Sequence, residues 1–318
     1  MAIDDNSRSA GIVQRLQCLL LDHTAAMAAK ASPAVRRRGA ALLACAAFDL
    51  LRIRRSYVTA ALQKHLGLDA ESSESMARRT YRSFFENALE MASLPYLTAN
   101  ELKTKFRVEG MEHLRTAHAL GRGVVIVSGH YGLWELVPPW LCLNGYSMTT
   151  VVRRQKNPEV DVWFEQMRHR FGAATTDSGY GLREILRTLR KGDILGLMSD
   201  QNAGDHGCFV DFLGEPASTV VGPAQISLKS HAPVVVLAAH RCGDGPHLIE
   251  IRPPIRPEEF SDDEAGRTQL TQLFTSILEH WIRQRPDQWF WLHQRWKSRP
   301  PADRNERQVN AFKGSIAA

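Results

Sequence analysis

From about residue 105 onward, short apolar runs alternate with stretches whose apolar positions recur every three or four residues. The runs GVVIVSG, SMTTVV, DILGLMS and PVVVLAA are short and apolar, as strands are, and four β-branched residues stand together in the first. The intervening stretches read as helices, and that alternation predicts an α/β layered structure. Before residue 100 no strand pattern is visible. There MARRTYRSFFENALEMASL (76–94) is the strongest helix, with Tyr81, Phe84, Phe85, Ala88, Leu89 and Ala92 at helical steps. From Pro300 the chain is polar and reads as a frayed tail.

Each predicted strand ends in polar or titratable residues. His130 follows the first run, Arg153 and Arg154 the second, Asp200 and Gln201 the third, His240 and Arg241 the fourth. If the strands are parallel, these residues gather along one rim of the sheet, where open α/β sheets bind ligands. Local punctuation supports the placement. In NPEVDVWFEQMRHRFG, Asn157 is the expected N-cap, Pro158 the first helical residue and Gly172 the stop. That holds Arg153 on a short strand-to-helix connection.

The formal charge of +6 and isoelectric point near 9.2 narrow the partner to something anionic: nucleic acid, an anionic bilayer, a phosphorylated substrate or an acidic protein. Five dispersed cysteines with no CxxC pair argue for reduced thiols, with no disulfide frame or zinc site expected. The polar, acidic start is not that of a secretory leader, and no run of about 18 apolar residues predicts a membrane span. One segment, RRRGAALLACAAFDLLRIRR (36–55), sets an Ala/Leu-rich stretch between arginine clusters, with Leu43, Ala47, Leu50 and Ile53 at helical spacing. It suits an amphipathic helix in a membrane interface; an ordinary surface helix packing that stripe on the core has the same pattern.

The densest chemistry lies in GHYGLWEL (129–136). Positions 130 and 135 are about 500° apart on a helix and do not share a face, and HExxH is absent, so a metal reading is weak. Ser128 is not in GxSxG, which argues against a serine hydrolase. An acid/base pair remains. His130, with an ordinary pKa near 6.5, can take a proton from a hydroxyl. Glu135, if the loop folds back, can hold the other ring nitrogen and stabilise the cation that forms. The bland alternative is a satisfied loop histidine and an acid at a helix start.

GHYGLWEL resembles the H-x4-(D/E) motif of glycerolipid-type acyltransferases, and more closely that of the lipid A late acyltransferases, the lauroyl/myristoyl transferases. VVRRQKNP (151–158), SDQNAGDHGCFVDFLGEPAST (199–219) and WFWLHQRWKSRP (289–300) are similar to further blocks of that family, in order. The resemblance implies a three-layer αβα domain with a mixed central sheet over residues 105–299. A helical region, 1–104, would precede it, with the interface segment near 36–55, and a polar tail, 300–318, would follow. It also implies an O-acyltransferase at the cytoplasmic face of the bacterial inner membrane. The enzyme would carry an acyl chain from an acyl carrier protein thioester to a hydroxyl of a lipid A precursor or related lipid, without metal or other cofactor. His130 would be the general base and Glu135 its partner, with Arg153, Arg154, Asp200, Gln201 and Gly207 lining the substrate site. Leu133, Asn202, Asp211 and Gln294 depart from the family's pattern, which leaves the acceptor open: a lysophospholipid, a glycolipid or an aminolipid would also serve.

Two other readings compete. Water in place of the acceptor hydroxyl would make a thioester hydrolase. A basic nucleic-acid- or membrane-binding protein would share the charge, but no helix-turn-helix, zinc finger or basic-aromatic strand pattern is present, and nucleic acid is not the expected partner.

Overall fold

The computed structural model describes residues 3–177 and 182–300, so all but the first residue of the expected polar tail 300–318 lies outside the described residues. Five helices lead the chain: α1 (Ile3–Lys30), α2 (Pro33–Cys45), α3 (Arg55–Leu66), α4 (Ala70–Ala92) and α5 (Ala99–Thr104). Strands and helices then alternate: β1 (Phe106–Glu109), α6 (Met111–His118), β2 (Val124–Ser128), α7 (Val137–Leu143), β3 (Met148–Val152), α8 (Pro158–His169), β4 (Ala174–Asp177), α9 (Leu182–Arg190) and β5 (Ile194–Met198). A hairpin of β6 (Cys208–Phe212) and β7 (Glu215–Thr219) precedes α10 (Gly222–Ser230), β8 (Val234–His240), β9 (His247–Ile251) and α11 (Glu264–Gln284).

Seven strands form one sheet in the order β1-β9-β8-β2-β5-β3-β4. β8, β2, β5, β3 and β4 run parallel, while the short turn after His240 sends β9 back antiparallel to β8. The sheet is therefore mixed, as expected. The ends of β2, β3, β5 and β8 share one edge, so the polar residues that terminate these strands do gather on one rim.

The apolar runs without alternation are explained by burial on both faces. Val125, Val127, Leu195, Leu197, Val234 and Val236 face a core completed by α9, α10 and α11. Val124, Ile126, Met148, Ile194, Val235 and Leu237 face a second core completed by α5, α6, α7 and α8. The leading helices belong to these cores. Ala44 of α2, Val58 of α3 and Tyr81 of α4 enter the first, and Ala25 of α1 and Met91 of α4 the second. At about 1.5–3 kcal/mol for each large buried side chain, they are part of what holds the sheet covered.

The segment 36–55 is not the single amphipathic helix its spacing suggested. α2 stops at Cys45, a π-helical turn covers Ala46–Leu50, and Arg52 and Arg54 take left-handed backbone conformations. The wider turn breaks the expected stripe: Ala47 and Phe48 are buried, while Leu42, Leu43, Leu50, Leu51 and Ile53 are exposed. A second exposed apolar stripe, which the sequence reading did not single out, runs along α1 through Ile12, Leu16, Leu19 and Leu20, each about 60–70% exposed. Among the described residues no helix is long and apolar enough to cross a membrane.

Candidate active site

The site is set by strand register. β2 and β5 are parallel neighbours with Ser128 opposite Met198. Two residues further along each strand, His130 comes opposite Asp200. The connection is tied at its base by the Ser199 N–H, which donates to the Ser128 carbonyl at 3.1 Å. Gly129 lets the carboxylate approach, since a Cβ there would stand 3.1 Å from Asp200 Cγ.

Asp200 is buried and carries three hydrogen bonds. His130 Nδ1 lies 2.8 Å from Oδ1, and Oδ2 accepts the His130 backbone N–H at 2.7 Å and the Trp289 indole N–H at 2.8 Å. Trp289 is brought there by the segment after α11, which bridges to Tyr131 and whose Phe290 N–H donates to the His130 carbonyl at 3.1 Å. Burial works to raise the Asp200 carboxyl, but the charge and hydrogen bond of His130 and the bond from Trp289 hold it below the usual aspartate range. Burial likewise works to lower His130, but the charge and hydrogen bond of Asp200, with a smaller contribution from Glu135, raise it above the ordinary histidine value. A carboxylate on Nδ1 fixes the tautomer with its proton there and leaves Nε2 as the basic nitrogen.

The expected contact between Glu135 and the imidazole is not made. Glu135 sits in a short 3-10 turn, Trp134–Leu136, and both its oxygens are taken by Arg168 of α8, at 2.9 Å from Nε and 2.6 Å from a terminal nitrogen. The loop does not fold back because that bidentate pair pulls the carboxylate towards α8, and Asp200 already occupies Nδ1. At 12% and 18% exposure the Arg168–Glu135 pair is largely desolvated. Glu135→Ala strands the Arg168 charge and is expected to cost about 3–5 kcal/mol, with Arg168→Ala comparable and the double variant costing less than the sum. Urea unfolding of the three variants measures this, and strictly additive losses would show that the pair is not coupled.

The other expected residues divide. Gln201 stands beside His130, its amide nitrogen 3.4 Å from Nε2. Arg153 lines the groove and makes no hydrogen bond or ion pair among the described residues, whereas Arg154 is engaged with Asp161, Glu165 and Asp177. Gly207 does not reach the groove. It packs under the β6–β7 hairpin, where a Cβ would come within 2.4 Å of Ser218 Oγ, so its lack of a side chain serves packing there.

His130, Trp134 and Glu135 stand at one part of a groove of about 740 Å³. Elsewhere the groove is walled mainly by apolar side chains, among them Phe84, Met91, Val137, Met148, Trp163 and Phe164. Gly196 opens its floor, for a Cβ there would lie 2.4 Å from the methyl end of Met148. Three residues of the site were not anticipated. Trp289 and His293, whose Nε2 accepts the Asn202 N–H at 2.9 Å, lie in a closing segment whose three tryptophans and one histidine were visible although their contacts were not. Arg168 carries no such signal, being one of several basic residues near the end of α8.

An imidazole held by a buried carboxylate beside an apolar groove can take a proton from a hydroxyl next to a space that fits a long apolar chain. Residues 20–298 match the family described as bacterial lipid A biosynthesis acyltransferase, and the chain belongs to that family. It is a lipid acyltransferase. It is 28% identical over 235 residues to the lipid A biosynthesis palmitoleoyltransferase of Escherichia coli K12, covering 73% of this chain and 74% of that one. The lipid A biosynthesis lauroyltransferase of the same organism is 30% identical over 198 residues, 61% of this chain and 62% of its own. The phosphatidylinositol mannoside acyltransferase of Mycobacterium tuberculosis H37Rv is 28% identical over 214 residues, 65% of this chain and 66% of its own.

Proposed function

We propose that this enzyme transfers a fatty acyl chain from an acyl carrier protein thioester to a hydroxyl of a lipid A precursor or a related membrane lipid. His130 is the general base and Asp200 the carboxylate that orients it. The observation that carries this reading is the 2.8 Å contact between His130 Nδ1 and buried Asp200, made beside the apolar groove. Nε2 takes the acceptor's hydroxyl proton as its oxygen attacks the thioester carbonyl. The C–S bond then breaks, and the departing thiolate takes that proton from Nε2. The Gln201 amide is the donor placed to meet the oxyanion, and Arg153 a cation for an acceptor phosphate or the carrier protein. The acyl chain lies along the apolar groove. Glu135 and Arg168 hold the loop and α8 in register around it.

The basic balance suits both an acidic carrier protein and an anionic inner-membrane surface. The test is a side-by-side assay of purified enzyme with matched acyl-carrier-protein and acyl-coenzyme A donors, the lipid product being read by mass spectrometry. The expected result is a higher kcat/KM with the carrier protein. Equal constants would overturn the donor assignment, and thioester loss without acylated lipid would favour the hydrolase.

Binding to the cytoplasmic face of the inner membrane is assigned to the two exposed apolar stripes, on α1 and at the α2–α3 corner. Deleting residues 1–56 would also remove Ala44 and Phe48 from the core, so point substitutions give the cleaner test. Leu16→Glu with Leu20→Glu, or Leu50→Glu with Leu51→Glu, is expected to release the protein from anionic vesicles, and high salt to release part of the unchanged protein. Unchanged flotation of both double variants would place the anchor elsewhere.

A further inference from the structure

Helix α4 separates the acyl groove from a second cavity. Phe84, Ala88 and Met91 line the groove, while Glu86 and Glu90, on the other side of the helix, line a cavity of about 270 Å³. Its remaining walls are the first turns of α2, the α5–β1 junction and the turn between β8 and β9. None of these residues takes part in the chemistry assigned to His130.

Permanent cations converge on it from three elements: Arg36 and Arg37 of α2, Lys105 before β1, and Arg241 after β8. At the base lies Glu90, 4% exposed, taking Lys105 Nζ at 2.7 Å, His247 Nε2 at 3.0 Å and the Arg241 guanidinium. One buried carboxylate thus collects two permanent cations and an imidazole. Arg241 is further fixed by Asn87 Oδ1 at 2.7 Å and the Glu86 carbonyl at 3.1 Å. Of the other lining carboxylates, Asp244 takes one N–H of the Arg37 fork within the cavity, and Glu86 pairs with Arg82 outside it. Among the described residues the Arg36 side chain donates only to the Ala28 carbonyl, at 3.3 Å, and the Lys105 ammonium makes one hydrogen bond of the three it can donate. The site therefore presents more N–H donors than acceptors, in a recess where unmatched positive charge is costly. The positive end of the α2 dipole adds to the excess, since Pro33, Arg36 and Arg37 of its first turns line the wall. Gly243 and Gly245 in the opposite turn keep the space clear of side chains.

We propose that this cavity binds a phosphate group, the Arg36 and Arg37 forks closing on it from α2 and Lys105 and Arg241 meeting it from the base. A tetrahedral anion with several acceptor oxygens matches donors arriving from different directions, as a planar carboxylate does not. Two sources share that chemistry, an anionic lipid headgroup and a soluble phosphate compound. The α2–α3 corner, with its exposed leucines, belongs to the same stretch of chain as the arginines at the mouth.

The experiment uses the full chain, with thermal shift and titration calorimetry against inorganic phosphate and against short-chain phosphatidic acid below its micelle concentration. Chloride at matched ionic strength is the control. Phosphate is expected to raise the melting temperature, and Arg36→Ala with Arg37→Ala to weaken binding by about tenfold or more. Arg15→Ala with Arg38→Ala removes the same charge from exposed positions that do not line the cavity, and is expected to change affinity by less than about twofold. Tighter binding of phosphatidic acid than of phosphate assigns the headgroup, and equal affinity assigns the soluble compound. No phosphate response, or equal weakening in both double variants, overturns the site. Neither readout depends on turnover, so a failure here is distinguishable from a failure of the acyl-transfer reading.

Discussion

Replacing His130 by alanine lowers acyl transfer by about a hundred- to ten-thousand-fold while leaving the fold intact. The size follows from the position. Nε2 is the basic nitrogen facing the groove, and the side chain, a quarter exposed, packs its ring beside Trp134 and Phe290 at the groove's edge. Its removal leaves Asp200 with the backbone N–H of residue 130 and the Trp289 indole, enough to keep the loop tied. Single-turnover kinetics with donor and acceptor bound measures the effect, and circular dichroism with a melting curve checks the fold. A variant that is folded and within a few-fold of the parent would remove His130 from the reaction.

Asp200→Asn is expected to cost nearly as much, up to about ten-thousand-fold, because the amide cannot stabilise the imidazolium and admits the wrong tautomer. The geometry makes the consequence specific. Asparagine retains a single carbonyl oxygen, while His130 Nδ1, its backbone N–H and the Trp289 indole all converge on the carboxylate. If the side chain keeps the Trp289 bond and turns its NH2 towards His130, Nδ1 becomes the acceptor and the proton moves to Nε2, where the base must be free. Combining His130→Ala with Asp200→Asn should cost little more than either alone, since groups acting as a unit are not additive. Glu135→Ala separates from both: its loss is one of stability and of groove shape. Independent, multiplying losses for His130 and Asp200 in turnover would contradict the pairing.

How much of this was legible in the sequence can be followed residue by residue. The layered fold was, because β2, β5 and β8 are short apolar runs set between helical stretches and Asn157, Pro158 and Gly172 punctuate α8 as their chemistry dictates. The rim was legible too, since a parallel strand must deliver whatever follows it to the same edge. The partner of His130 was not. Proximity in sequence favoured Glu135, five residues on, but the neighbour of β2 in the sheet is β5, and strand order is a long-range property that no local pattern encodes. Arg168 then decides Glu135 from a helix 33 residues away. The corner at 46–54 was misjudged for a different reason. An α-helical period was applied across a π turn, which shifts the facing of every residue after it.

The most direct measurement is the pH dependence of single-turnover acyl transfer in the parent enzyme and in Asp200→Asn. A base must be neutral to act, so the rate falls as pH drops through its pKa. Asp200 outweighs burial and raises His130, which places the acid limb above the ordinary histidine value of about 6.5. Removing the carboxylate's charge leaves burial to dominate, so in Asp200→Asn the limb moves to lower pH together with the large fall in its plateau. A limb at the same pH in both proteins would contradict the account, because the group titrating in the reaction would then be one that Asp200 does not hold.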